Sequence, residues 1–436
     1  MLGDCNPDVL VLGDDVTPAF GQQEKLVGSI SMVTGGSAAI TAVGAARLGL
    51  RVALVAAVGA DPAGTFMLDQ LAAEGVDASA VAVRDGTPTG MTVALSQGGD
   101  RAILTALGAM ASLTAADVPG ALLARARHVH ASSYFLLEGS LGPGLAGLLA
   151  AARAAGATTS LDTNWDPSGR WGDGRLSAAI AQADVLLPNE AEALCLAGAG
   201  LADAGPAGAG GLDAAVSALV AAGPRVVVKR GERGALCADG PVRQQVSLPP
   251  VVPVDASGAG DCFNAGLIAG LLDGQPLPQA AALGCAAGAL SAGAPGGTAS
   301  APAMAAAARL AALASVTSVA LRRRGPVAGQ GRDGRTPARG AAGSHDRERN
   351  RFGQAGGQRR GIRARGAQAD MELGAGNSLV LGAQDVLVLL VGPDDVDEDP
   401  GIGADQVEGI AVGHLVDGDL ARRRLAGPGG GAVGQQ

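Results

Sequence analysis

The chain has 436 residues, a formal net charge of −9, and is 47% hydrophobic but only 2% aromatic. That length fits one large domain or two to three ordinary ones, and the hydrophobic share supports a core built from Ala, Val and Leu, with 70 Gly among them. The negative charge argues against a nucleic-acid binder, and no uninterrupted apolar run of about 18 residues exists to span a membrane.

Residues 9–12 are a short apolar, strand-like run. Residues 35–48 (GGSAAITAVGAARL) carry small and apolar side chains at helical spacing, and 52–58 read as a buried strand ending at Gly59. Residues 66–74 are helical and 81–83 return to strand. Two segments, 21–34 and 89–107, alternate polar and apolar residues between Gly turns and read as exposed β-structure. Further strands are expected at 129–132, 158–162, 185–187 and 226–229, with helical patterns in the gaps. Strands alternating with helices of ~10–15 residues indicate a parallel α/β sheet, whose ligands sit at the carboxyl ends of the strands.

Composition changes near residue 321. Residues 322–365 hold 13 Arg against 3 acids, and 366–421 hold 12 acids with no Lys or Arg. Blocks of like charge in Gly-rich sequence bury too little apolar surface to offset chain entropy. Residues 322–436 are therefore read as a mostly disordered tail, in which only 378–391 is apolar enough for a strand or hairpin. Such a tail is either an Arg-rich arm for an acidic partner or an appendage without a role, such as a frame-shifted extension.

Cys5, Cys195, Cys237, Cys262 and Cys285 are odd in number, scattered and without a CxxC pair. They read as reduced thiols of a cytoplasmic protein, not as a disulfide framework or a zinc site. The start, MLGDCNPDVLVLG, lacks the basic region of a secretory signal. Neither Lys25 nor Lys229 follows a Gly, so no Walker-A lysine is present, and HExxH, HRD and DFG are absent. After 9–12 the chain reads GDDVTP, not the GxGxxG of a dinucleotide-binding fold.

The sharpest signal is Val254-Asp255-Ala256-Ser257-Gly258-Ala259-Gly260-Asp261, leading into a helix of small apolar residues. Small residues let successive backbone N–H groups converge, and at a helix N-terminus they make an anion site. Asp261 would sit beside the bound anion, which suits phosphoryl transfer: amides stabilise charge while a carboxylate takes a hydroxyl proton. The plainer reading is a helix cap behind a tight turn. Asn189 and Glu192 have the spacing of an N-cap and its N3 partner.

This turn resembles the DTxGAGD signature of the PfkB/ribokinase family of carbohydrate kinases, with Ala256 where Thr is usual. A second family signature fits Gly35-Gly36, Ala38-Ala39 and the following helix, then Gly59, Asp61 and Gly64. The resemblance covers roughly residues 1–312. It implies a ribokinase-like three-layer α/β/α fold with a mostly parallel central sheet and a small β lid. The kinase domain would be 1–321, with the lid drawn from about 14–34 and 89–107, followed by the tail 322–436.

The resemblance also implies roles. Asp261 would be the catalytic base, with the amides of Gly258, Ala259, Gly260 and Asp261 as the anion hole for phosphoryl transfer from ATP. Asn189 and Glu192, in the family's NxxE motif, would meet the magnesium–phosphate assembly through water. Lys229 and Gly231 would border the nucleotide. Asn6 and Asp8, Gly36 and Ser37, and Asn164 of the Asp162-Thr163-Asn164 run would bind the sugar or sugar acid; Ile40 stands where family members often carry Asn. Asp255 and the carbonyl of Ser257 fall where many members bind potassium. The lid would exclude water and pair two subunits. His128, His130, Tyr134 and Phe135 read as core or pocket wall. Two alternatives remain open: a nucleoside kinase, with Phe20 and Tyr134 as candidate base clamps, and a sugar-binding regulator without turnover. No membrane or nucleic-acid partner is implied.

Overall fold

A computed structural model describes residues 1–320 apart from 98–99, 173 and 199–208, together with 380–383 and 386–389. The elements in chain order begin with β1 (Asn6–Leu12), β2 (Ser29–Gly35), α1 (Ser37–Arg47), β3 (Ala53–Gly59), α2 (Pro62–Ala73), β4 (Asp77–Arg84), β5 (Met91–Gln97) and β6 (Asp100–Ala106). Next come α3 (Gly120–Arg125), β7 (His128–Ala131), α4 (Gly142–Ala154), β8 (Thr158–Leu161), α5 (Gly174–Gln182), β9 (Val185–Leu186), α6 (Glu190–Leu196) and α7 (Ala209–Ala221). The first unit ends with β10 (Arg225–Lys229), β11 (Ala235–Asp239), β12 (Val242–Ser247), α8 (Ala259–Leu272), α9 (Leu277–Ser291), α10 (Met304–Ala311) and β13 (Ser315–Ser318). The chain divides into two units, Met1–Arg322 with Gly382–Gln384, and Arg323–Leu381 with Asp385–Gln436.

The apolar runs become a sheet in the order β13-β12-β11-β10-β9-β8-β7, which Leu2 extends by parallel bridges to Ala131 of β7 and Val55 of β3, with β4 beyond. Pairings from β7 to β10 and between β3 and β4 are parallel; β10 to β13 are antiparallel. Side chains alternate across it as strand geometry requires. Val226 and Val228 pack under α4, α5 and α7, while Val227 packs with Phe263 and Leu267 of α8. Helices therefore cover both faces, giving three layers with the strands' carboxyl ends at one edge.

Two regions depart from the sequence reading. The run 9–12 belongs to β1, which is not in the central sheet but at the middle of a separate four-stranded lid, β2-β1-β5-β6. Of the expected lid segment 14–34, only 29–34, within β2, is strand. Residues 235–247, which lie beyond the last expected strand, form the hairpin β11–β12, closed by Gly240-Pro241 with Gly240 at φ 50°. The tail lies outside the described residues except β14 (Val380–Ala383) and β15 (Val386–Leu389), which form a two-stranded sheet inside the apolar stretch 378–391. No helix among the described residues is long and apolar enough to cross a membrane.

With few aromatic side chains to fill space, α8 and α9 approach closely through glycines. A Cβ on Gly266 would lie 2.6 Å from the Leu283 carbonyl oxygen, and one on Gly284 would lie 2.8 Å from that of Phe263. Interiors packed this densely do not absorb added methyl groups. Gly266→Val is therefore expected to lower unfolding free energy by about 1–3 kcal/mol, read as a lower denaturant midpoint; an unchanged midpoint would show that the helices can separate freely.

Candidate active site

The carboxyl ends of β8, β9 and β10 meet the first turn of α8, and the charged groups of the site converge there. Lys229, at the end of β10, donates to Asp162 Oδ2, just past β8, and Asn264 Nδ2 of α8 donates to the same oxygen at 2.7 Å. Burial works against the Lys229 ammonium, but Asp162, Glu192 and Asp261 outweigh it and raise its pKa. A solvated surface lysine is thereby ruled out: this one is enclosed by carboxylates.

Glu192 and Asn189 form a reciprocal capping box at the start of α6, with Glu192 N–H to Asn189 Oδ1 at 2.9 Å and Asn189 N–H to Glu192 Oε2 at 2.8 Å. Burial first, and the Asp162 charge second, push the Glu192 carboxyl up to about 7. Asp261 is the third residue of α8 and buried. Desolvation and then Asp162 raise its carboxyl to about 8, against the opposing pull of Lys229 and of a hydrogen bond with Ser37.

The glycine turn needs its glycines. Gly258 caps α8 at φ 69°, and a Cβ there would lie 2.5 Å from Gly297 Cα. The Ala259 N–H reaches the Ala256 carbonyl at 3.2 Å and that of Asp261 reaches Gly258 at 3.0 Å. The N–H groups of Gly258 and Gly260 have no protein acceptor among the described residues. Asp255 Oδ1 accepts from the Ser257 N–H at 2.9 Å and from its Oγ at 2.7 Å; Oδ2 accepts from Gly296 N–H at 2.8 Å. Burial would raise the Asp255 pKa, but these bonds outweigh it and lower it. Arg47, paired with Glu74 at 2.6 Å, donates to Thr298 O at 2.7 Å and so anchors the loop behind the turn.

The lid end is built on a second acidic group. Asp8 lies on β1 beside Asn6, whose Nδ2 donates to Asp8 Oδ1 and to Thr92 Oγ1, each at 3.1 Å. Burial, then the Asp4 charge, bring the Asp8 carboxyl to about 7. Gly36, at φ 83°, is the N-cap of α1, and Asp4 accepts the freed N–H groups of Ser37 and Ala38 at 3.0 and 2.9 Å. Asn164 Nδ2 donates to Ser37 Oγ at 2.7 Å, linking β8 to α1 beside Asp261. Asp61 caps α2 and accepts the Thr89 N–H at 2.7 Å, pinning the chain where β5 enters the lid.

The structure thus brings Asp261, Lys229, Glu192, Asn189, Ser37 and Asn164 to one edge, with Asp8 held in the lid by Asn6. Gly231 is exposed in the turn that follows β10, at φ 58°. Ile40 packs against Cys262 and Ala301. His128 and His130 are tied to Ser160 at 2.7 Å each inside the sheet, and burial pushes His128 down to about 3, which keeps it neutral. Of the two candidate base clamps, Tyr134 is buried and Phe20 is 94% exposed on the loop between β1 and β2. Three groups were missed. Asp162 stood in the quoted Asp-Thr-Asn run; Asp4 and the lid residue Arg101 carried no motif.

Carboxyls whose pKa rises on folding hold protons in the folded state that the unfolded chain releases. Their contribution to stability is complete below about pH 4 and is lost as pH rises through about 7 for Asp8 and Glu192 and about 8 for Asp261. Asp261→Asn removes one of them and is expected to raise the melting temperature at pH 8 by several degrees more than at pH 5. Equal shifts at both pH values would contradict the assigned proton.

The family described as pfkB family carbohydrate kinase matches residues 6–304. A fructokinase of Salmonella typhimurium is 30% identical over 284 residues, 63% of this chain and 88% of the relative. A 2-dehydro-3-deoxygluconokinase of Bacillus subtilis is 32% identical over 285 residues, 62% of this chain and 84% of the relative. A crystal structure of a putative ribokinase II of E. coli in complex with ATP and Mg2+ superposes with a TM-score of 0.60 at 24% identity, covering 71% of this chain and 97% of the other. With a family match across most of the described chain and a ribokinase-like architecture around these carboxylates, this protein belongs to the pfkB family of carbohydrate kinases.

Proposed function

We propose that the protein transfers the γ-phosphoryl group of ATP to a hydroxyl of a sugar or sugar acid, with Asp261 as general base. One observation carries this: a buried carboxyl held near pKa 8 stands on the first turn of a helix beside two unpaired amides, those of Gly258 and Gly260. Asp261 takes the proton of the acceptor hydroxyl. The amides and the helix N-terminus receive the charge on the phosphoryl oxygens. Asp8, Ser37 and Asn164 orient the acceptor. The relatives named for fructose and 2-dehydro-3-deoxygluconate support this acceptor class.

ATP and Mg2+ follow from the E. coli neighbour's complex and from the charge at the site. Asp162, Glu192 and Asp261 outnumber Lys229, so a cation relieves them. Among the described residues no three of His, Cys, Asp and Glu could hold a metal between them. Glu192 would therefore meet magnesium through water, beside Asn189; the metal supplies charge neutralisation of the phosphates. Asp255, whose pKa is lowered, offers a full negative charge for a potassium ion beside the Ser257 carbonyl. The sugar-kinase setting and the five buried free cysteines favour a cytoplasmic enzyme.

The outer face of the lid supports a homodimer. Val9, Val11, Ile30, Met32, Val93, Leu95 and Leu104 are cross-strand neighbours on one face, and Ile30 and Leu104 are 65% and 63% exposed. A flat aliphatic sheet face is self-complementary about a twofold axis. Met32→Glu combined with Leu104→Glu is expected to convert a dimer to a monomer in sedimentation; a monomeric wild type would end this proposal.

Asp261→Asn is expected to cut kcat by ~10²–10⁴ with acceptor affinity within about threefold. In the wild type, kcat/KM should rise about tenfold per pH unit and level off near pH 8, because only the deprotonated base is active. Full activity of the Asn variant, or a flat profile between pH 5 and 8, would remove Asp261 from the reaction.

A further inference from the structure

Strand β6 is exposed along its whole length. Its Arg101 pairs in register with Ser96 of β5, on the face that also carries Asp8, Thr92 and Thr105. From there Arg101 Nη1 donates to Ser257 Oγ at 2.8 Å, across 156 residues of sequence. Ser257 Oγ donates in turn to Asp255 Oδ1 at 2.7 Å. The proton directions are fixed, since a guanidinium only donates and an ionised carboxylate only accepts. Asp255 Oδ2 then holds Gly296 N–H at 2.8 Å, next to the Gly297 backbone that packs on Gly258. A string of hydrogen bonds thus runs from the lid to the loop supporting the anion turn. Arg101 also lowers the carboxyl pKa of Asp8 on the lid side and of Asp255 on the turn side, so its charge is felt at both ends.

We propose that Arg101 is a positioning residue that couples the lid to the glycine turn. With the lid down, its guanidinium orients the Ser257 hydroxyl and steadies Asp255, and the Gly258 and Gly260 amides are aligned. With the lid raised, the string opens at its weakest point, the exposed Arg101–Ser257 bond, and the turn loosens. The turn is then ready for the phosphoryl group chiefly when the acceptor is covered, which suppresses transfer to water. The catalytic consequence rests on the kinase reading above; the coupling itself does not.

The test uses the full chain with Arg101→Ala, Ser257→Ala, the double variant and Arg101→Lys. Each single alanine variant should lower kcat/KM for the acceptor about tenfold and raise the ratio of ATP hydrolysed to acceptor phosphorylated. The double variant should lose no more than either single one, and Arg101→Lys should recover part of the loss. Amide hydrogen exchange without substrates provides the second readout. Either alanine variant should speed exchange both in β6 and in residues 255–260. Independent, additive losses in kcat/KM, or exchange that changes only around the substituted residue, would overturn the coupling. The exchange arm decides the proposal even if no acceptor is phosphorylated, so its failure is separable from failure of the kinase reading.

Discussion

The buried pairing of Lys229 with Asp162 is the interaction on which the rest of the site depends. An ammonium enclosed in protein is costly unless opposite charge surrounds it. Here Asp162, Glu192 and Asp261 supply more negative charge than Lys229 neutralises. The lysine stays protonated, while burial first and the Asp162 charge second raise Glu192 to about 7 and Asp261 to about 8 against the opposing pull of Lys229. The same cation thus holds the ion pair and limits how far the carboxyls beside it rise. Chain topology makes this possible, since β8, β9 and β10 are parallel neighbours and end at the same edge.

A second constraint is the lack of large side chains. Layers built from Ala, Val, Leu and Gly must approach closely to exclude water, and α1, α8 and α9 do so. Gly44 of α1 faces Ala265, while Gly266 and Gly284 face opposing backbone. This brings the start of α8 down onto the strand ends, so that Asp261 and Asn264 reach the Asp162–Lys229 pair. The close packing that stabilises the fold is therefore also what buries the carboxyl and raises its pKa.

Much of this was legible in the residues. The strands at 52–58 and 226–228 announced themselves as apolar runs, because a strand covered on both faces has no polar side; 129–132 (VHAS) and 158–162 (TTSLD) are largely polar and are buried by hydrogen-bonding their side chains, as His130 does with Ser160 and Ser132. The glycine turn was legible because its backbone admits little else at Gly258. The placement of β1 was not: its aliphatic residues look like core, yet their outward face lies on the lid, a distinction that only tertiary pairing makes. The β11–β12 hairpin did carry a local signal, Gly240-Pro241, a dipeptide that marks turns. Asp162 and Lys229 lie 67 residues apart, and no local pattern announces that they pair. Arg101 was hidden for the same reason, since its partner Ser257 lies on a distant loop.

The titration of Asp261 is the most direct test of the role assigned to it. Carboxyl-carbon NMR of protein labelled at aspartate, compared between wild type and Lys229→Met across pH 4–10, would read it. The expected result is a wild-type midpoint near 8 that moves higher when the lysine charge is removed. A midpoint near 4 in the wild type, or one that is indifferent to Lys229, would contradict it.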